Sequence, residues 1–210
     1  MKPLDHFMYG GADLDSLVDV FSRLTGVPTQ AGGSHPTLGT RNHLVGTSTD
    51  AYLELIAPDP ALTVQSELRT RLSEFTRPAL HRFIVVCHGG DFDDLDTAYR
   101  EAGITAPVHD LHRVTPAGDT LSWKLMIPEP NDLGLFAPFF IDWQDTAHPS
   151  TRLTRSGCTI AGCEAGHPQH VRINALYRRL GVDINVFAAD APYMRVLLDT
   201  PNGRVALTSA

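Results

Sequence analysis

Residues 13–28, DLDSLVDVFSRLTGVP, spell out one helix together with both of its ends. Asp13 is a residue type that caps a helix start, and Leu14, Leu17, Val18, Phe21 and Leu24 then recur at helical spacing. Gly26 takes the C-cap place, where a left-handed backbone is needed, and Pro28 follows as a stop. An apolar strand at 4–9 precedes the helix, and strands around 42–46 and 51–57 follow it. The unit is therefore a strand, a helix and then several strands.

The closing phrase of that helix, Leu24-Thr25-Gly26-Val27, has two counterparts, Glu101-Ala102-Gly103-Ile104 and Arg179-Leu180-Gly181-Val182. Each marks a helix handing over to a strand through glycine, so the unit recurs. In the second copy, 81–87 is a β-rich run, and Asp91 opens a helix with Phe92, Leu95, Ala98 and Tyr99 on one side. Strands at 120–127 and 137–143 follow. The third copy has a strand at 156–163, a helix from about 168 to 180, and strands at 194–198 and 204–207 around a Pro201-Asn202-Gly203 turn. The expected fold class is α+β, with modules at about 1–60 and 79–145 paired over 1–145 and a third module at 156–210. Connectors fall at 58–79, partly helical over 64–75, and at 144–156. A third module leaves a sheet edge without a partner, and such edges are normally covered. It is expected to pack across the first two or to meet its twin in a homodimer.

A hydrophobic content of 42% is enough to fill a real core in 210 residues. The formal charge of −7, with basic residues scattered along the chain, argues against a nucleic-acid partner. No apolar run approaches the roughly 20 residues of a membrane span, and the start lacks a signal-peptide layout. The expected setting is soluble and cytoplasmic. Cys87, Cys158 and Cys163 form no CxxC pair and read as reduced core thiols. The sequence has no Gly-rich phosphate loop, G-x-S-x-G elbow or H-E-x-x-H helix, so no nucleotide cofactor is expected.

Residues 32–60, GGSHPTLGTRNHLVGTSTDAYLELIAPDP, gather polar groups where a plain hydrophobic strand wants none. Within them Tyr52-Leu53-Glu54-Leu55-Ile56 sets a carboxylate in an apolar run, and a buried Glu is costly unless a cation, a hydrogen bond or a proton relieves it. Upstream, Ser34, His35, Arg41, Asn42 and His43 crowd between Gly33, Pro36 and Gly39, as in a small-molecule site. His35 is a candidate general acid or base, and Asn42 a candidate carbonyl or oxyanion donor. Alternatively, both hold the loop together through bonds to backbone. Arg41 and His43 flank Asn42 and point to the opposite face of an extended segment.

Several motifs together resemble the glyoxalase-like domain family of the vicinal oxygen chelate superfamily. They are Leu4-Asp5-His6, the Asp13-Leu14-Asp15 helix start, Gly33-x-His35-Pro36-x-x-Gly39-Thr40-x-Asn42-x-Leu44, Tyr52-Leu53-Glu54-Leu55-Ile56-Ala57-x-Asp59-Pro60 and Pro138-Phe139-Phe140-Ile141-Asp142-Trp143. The resemblance implies paired βαβββ modules curling into an open barrel or cup, with ligands on the concave side. It also implies metal ligands from the first and last strands of the modules. His6 and Glu54 occupy those places in module one and suit a divalent ion such as Zn, Fe, Ni, Mn or Co. Aligning Asp91 with Asp13 puts Ile84 opposite His6, so the expected third ligand is Asp142. His81 is the alternative and needs a bulge to serve. The bland reading makes His6 a donor to backbone, pairs Glu54 with Arg41 or hydrogen-bonds it within the cup, and lets Asp142 cap a loop.

The resemblance suggests a glyoxalase-like lyase or isomerase in which a metal on His6 and Glu54 polarises an oxygenated substrate, Glu54 and His35 being the catalytic pair and His35 the proton carrier. His6, Arg41, Asn42, Trp123, Phe140 and Trp143 are the expected substrate-binding groups, the aromatics as stacking surfaces or as core. Two metal-free readings stand beside it: a small-molecule binding protein of the resistance type, and an enzyme with Glu54 or His35 as general base.

Overall fold

The computed structural model describes residues 1–47 and 50–209. The first module comprises β1 (Leu4–Gly10), α1 (Leu14–Thr25), β2 (Gln30–His35), β3 (Thr40–Thr47) and β4 (Tyr52–Pro58). After α2 (Glu67–Ser73), the second comprises β5 (Ala79–Val86), α3 (Phe92–Glu101), β6 (Val108–Val114), β7 (Thr120–Met126) and β8 (Phe139–Asp142). The third unit is β9 (Arg155–His167), α4 (His170–Leu180), β10 (Val186–Ala188), β11 (Tyr193–Thr200) and β12 (Gly203–Thr208).

Local chemistry sets the ends of α1. The Asp13 carboxylate accepts the Ser16 N–H at 2.8 Å, and Gly26, at φ 70°, returns its own N–H to Ser22. Leu14, Leu17 and Phe21 are buried against the sheet, and α1 packs on β3 and β4.

The paired modules share one strand order, β1-β4-β3-β2 and β5-β8-β7-β6, with β1 parallel to β4 and β5 parallel to β8. They join through the antiparallel β1–β5 seam, where His6 lies opposite Ile84, and through β2–β6, where Ser34 meets Val114. These eight strands form a barrel with a concave interior. Strand alternation sorts the side chains. Phe7, Tyr9, Leu53, Leu55 and Ala57 enter the core beneath the helices, whereas His6, Met8, Tyr52, Glu54 and Ile56 face the cup. Helix α2 lies at the cup, with Leu72 buried in the inner apolar cluster and Arg69 Nη1 donating to the Gly39 and Asp59 carbonyls at 2.6 and 2.7 Å.

The third unit keeps the βαβββ order of elements but pairs its strands differently, as β10-β9-β11-β12. Its Pro201-Asn202 turn makes β11 and β12 a hairpin, and β9 pairs with β11 over most of its length. At its start β9 also meets β3, Gly46 opposite Arg155 and Thr47 opposite Cys158, so the sheet runs on from the barrel. Helix α4 packs behind the barrel: Tyr177 sits edge-on to Phe83 at 6.1 Å, and Arg172 donates to the Ala102 carbonyl at 3.0 Å and reaches Asp132 at 2.6 Å. Among the described residues no helix is long and apolar enough to cross a membrane.

Candidate functional site

The barrel interior holds a cavity of about 260 Å³. Its walls are apolar, with Met8, Ile56, Ile84, Leu111, Leu125 and Ile141 prominent. Among its polar groups, His6, His35, Glu54 and Arg113 converge from β1, β2, β4 and β6, and Glu67, Arg71, His81 and Arg82 come from α2 and β5. A largely apolar chamber with a few converging polar groups is the usual form of a small-molecule site.

Asp5 and His6 are neighbours in the chain and bond to each other. The β1–β5 register shifts between Leu4 and His6, leaving Asp5 as an unpaired residue in the ladder. The Asp5 carboxylate, fully buried, lies 2.5 Å from His6 Nδ1, accepts Trp143 Nε1–H at 2.7 Å and meets His148 Nε2 at 3.1 Å. The His6 ring stacks on Tyr52 at 4.5 Å and turns Nε2 toward Glu54 Oε2 at 3.4 Å. Glu54 Oε1 accepts Asn42 Nδ2–H at 2.5 Å and stands 3.9 Å from His35 Nε2. His35 Nδ1 lies 3.0 Å from Thr40 Oγ1, and its ring meets Trp123 edge-on at 6.1 Å.

Burial works against every charge here, so the partners decide which groups are ionised. Desolvation pushes the His6 imidazole down, but hydrogen bonds to Asp5 and Glu54 and their charges outweigh it and raise its pKa to about 9. Desolvation raises the Asp5 and Glu54 carboxyls, yet bonds from His148 and His6 to the first, and from His6 and Asn42 to the second, hold both well below the ordinary range. His35 goes the other way. Desolvation, with Arg113 and His6 adding to it against Glu54, lowers its pKa to about 4, so its ring is neutral at physiological pH. Glu54 thus sits between one cationic and one neutral imidazole.

The expected site residues divide by strand face. His6, His35, Glu54, Trp123 and Trp143 line the cup, and Asn42 reaches it through its bond to Glu54. Arg41 does not: it lies on the outer face of β3, 3.4 Å from Asp15 of α1. Phe140 is also corrected. It is fully buried beneath α3, edge-on to Tyr99 at 6.2 Å, because β8 turns Phe139 and Ile141 inward and Phe140 outward. The same alternation carries Asp142 away from the cup, where Oδ1 accepts the Gln144 N–H at 2.9 Å. His81 faces the cup, because the register shift between Met8–Arg82 and Tyr9–Leu80 makes it the bulged residue.

A structural zinc-type ion takes four protein donors and a catalytic one three, at about 2.0–2.3 Å. Among the described residues no group of three or more His, Cys, Asp or Glu is arranged to hold a metal ion. Asp142 is on the far face and Ile84 stands across the seam from His6, while His81, though in the cup, forms no such group with His6 and Glu54. The donor set of a chelate site is therefore not met. The sequence reading missed Asp5, His148 and Arg113. Leu111-x-Arg113 carries a strand alternation that marks Arg113 as inward, but the exposed His109 and Asp110 before it carry no apolar signal.

A search of curated proteins finds no match. The family model described as "Glyoxalase-like domain" matches residues 4–181. Among solved structures, a hypothetical protein from Staphylococcus aureus is similar over 100% of this chain and 86% of its own, at 15% identity and a TM-score of 0.63. A methylmalonyl-CoA epimerase from Streptomyces coelicolor is similar over 70% of this chain and 97% of its own, at 18% identity and a TM-score of 0.49. At 15% identity the likeness to the Staphylococcus aureus protein is one of fold. With the barrel of paired modules and the family-model match over most of its length, the chain belongs to the glyoxalase-like domain family.

Proposed function

We propose that the cup is the site of a metal-independent acid–base enzyme, of lyase or isomerase type, that moves a proton at a carbon next to a carbonyl of a small molecule. The observation that carries this reading is Glu54 placed 3.4 Å from His6 Nε2 and 3.9 Å from His35 Nε2 in one apolar chamber, where the partners favour the cation of His6 and burial favours neutral His35. Such divergence of neighbouring titratable groups is how acid and base roles are assigned at one pH. His35, its Nδ1 engaged by Thr40, takes the proton at Nε2 as the C–H bond breaks. The electron pair moves to the carbonyl oxygen, which shares the His6 Nε2–H now directed at Glu54. Return of the proton to carbon completes an isomerisation without any co-reactant.

A binding or sequestering protein is the second reading, favoured by the tilted Trp123–Trp143 pair at 5.2 Å as a stacking surface. The free thiols of Cys87, Cys158 and Cys163 fit a reducing, cytoplasmic setting for either. Proton exchange separates the two. Protein treated with a chelator is incubated in D2O with a panel of α-hydroxyketones, 2-oxo acids and aldehydes, and deuterium at the α-carbon is read by NMR. Exchange that survives chelation and is lost in His35→Gln supports the enzyme. Exchange restored only by added metal, or binding without exchange across the panel, refutes it.

A further inference from the structure

Arg113 is the most deeply buried guanidinium that lines the cup, and it has no ion pair among the described residues. Its side chain is 5% exposed and faces the cavity from β6, two residues after the inward Leu111. No hydrogen bond or ion pair joins its guanidinium to another described residue, and its Nε is buried without a partner. The nearby carboxylate, Glu54, is already committed to Asn42 and His6. Leaving a buried cation uncompensated costs several kcal/mol. The backbone nevertheless makes room for it. A Cβ on Gly32 would stand 3.1 Å from Arg113 Nη1, and one on Gly33 would stand 3.2 Å from its Cγ and 2.0 Å from the Val114 carbonyl oxygen. Two glycines in succession thus clear the space in which this side chain lies.

We infer that Arg113 is the anion-binding group of the cup and that the ligand is a small monoanion, a carboxylate on an apolar body. A carboxylate matches the guanidinium fork with two parallel hydrogen bonds. One guanidinium fork takes one carboxylate, so a single anionic group on the ligand is matched. The walls of Ile56, Ile84, Leu125 and Trp123 take the apolar body. This inference deepens the acid–base reading by naming its substrate class, and it stands or falls on binding alone.

The test titrates the full chain with phenylacetate and octanoate, with their neutral amides of the same shape, and with phenyl phosphate, by calorimetry at constant ionic strength. The expected result is that each carboxylate binds at least tenfold more tightly than its amide and more tightly than the phosphate. Arg113→Gln erases the carboxylate preference while leaving amide affinity unchanged, and Arg113→Lys keeps part of it. Equal affinity of acids and amides for the wild type overturns the inference, whatever the variants do. A preference that persists in Arg113→Gln also overturns it and moves anion recognition to Arg71 and Arg82, which line the same cavity. Carboxylate binding without α-proton exchange leaves the anion site standing and removes the enzyme. Exchange on neutral ketones with no carboxylate preference does the reverse.

Discussion

Replacing Asp5 by asparagine tests the buried charge network at its most enclosed point. The carboxylate is fully buried and meets three groups, His6 Nδ1 at 2.5 Å, Trp143 Nε1 at 2.7 Å and His148 Nε2 at 3.1 Å. Asn keeps one acceptor oxygen, and its amide nitrogen is a donor turned toward donors. His6 is left with Glu54 alone at 3.4 Å. Removing one partner of a buried pair costs about 3–5 kcal/mol. For a chain of this size each kcal/mol moves the melting temperature by roughly 2–4 °C, so Asp5→Asn should lower it by about 10 °C. Thermal and urea unfolding of wild type, Asp5→Asn, His6→Gln and the double variant form a thermodynamic cycle. The double variant should be more stable than the summed single losses predict, by about 2 kcal/mol, because its second change removes the charge that the first left unpaired. An Asp5→Asn protein melting within about 3 °C of wild type, or strictly additive losses, would refute the network.

The same network fixes how stability varies with pH. His6 is raised on folding, so its contribution is full below the ordinary imidazole value of 6.5 and is lost as pH climbs through about 9. Glu54 is depressed, so its contribution is present above 4.5 and is lost as pH falls below that value. Urea midpoints measured at pH 5, 7 and 9 should fall between the last two in wild type and stay flatter in His6→Gln; an equal alkaline fall in both would place the effect elsewhere. On β8, Phe140→Ala should cost about 3–5 kcal/mol by urea unfolding and leave ligand affinity unchanged at temperatures where the protein stays folded. Phe139→Ala should do the opposite, since only Phe139 of the two lines the cavity; a reversed result would put the wrong face of β8 in the cup.

How far each feature was legible depended on the range of the forces behind it. Helix α1 could be read to the residue, because Asp13 and Gly26 act on backbone groups three or four positions away. Strand β6 has a weak signature, since its exposed His109 and Asp110 carry no apolar signal and only Leu111 and Arg113 face inward. Glu54 stands out as an ionisable group in an apolar run, and His6 through the family resemblance, at the first-strand place of module one. Asp142 and Phe140 were misplaced because a single residue of register exchanges the two faces of a strand. His81 and Asp5 came to the site through register shifts in the β1–β5 ladder, and nothing in their own sequence neighbourhood announces those shifts.

The sequence by itself determined the recurring strand–helix–strand units and the ends of the helices, since both follow from interactions within a few residues along the chain. Tertiary structure decided which strands pair, so that the third unit repeats the βαβββ order with a different sheet connectivity. It also decided which charges are held. Whether His6 is cationic, His35 neutral and Arg113 without a partner depends on desolvation and on groups brought in from other strands, and those exist only once the barrel has closed.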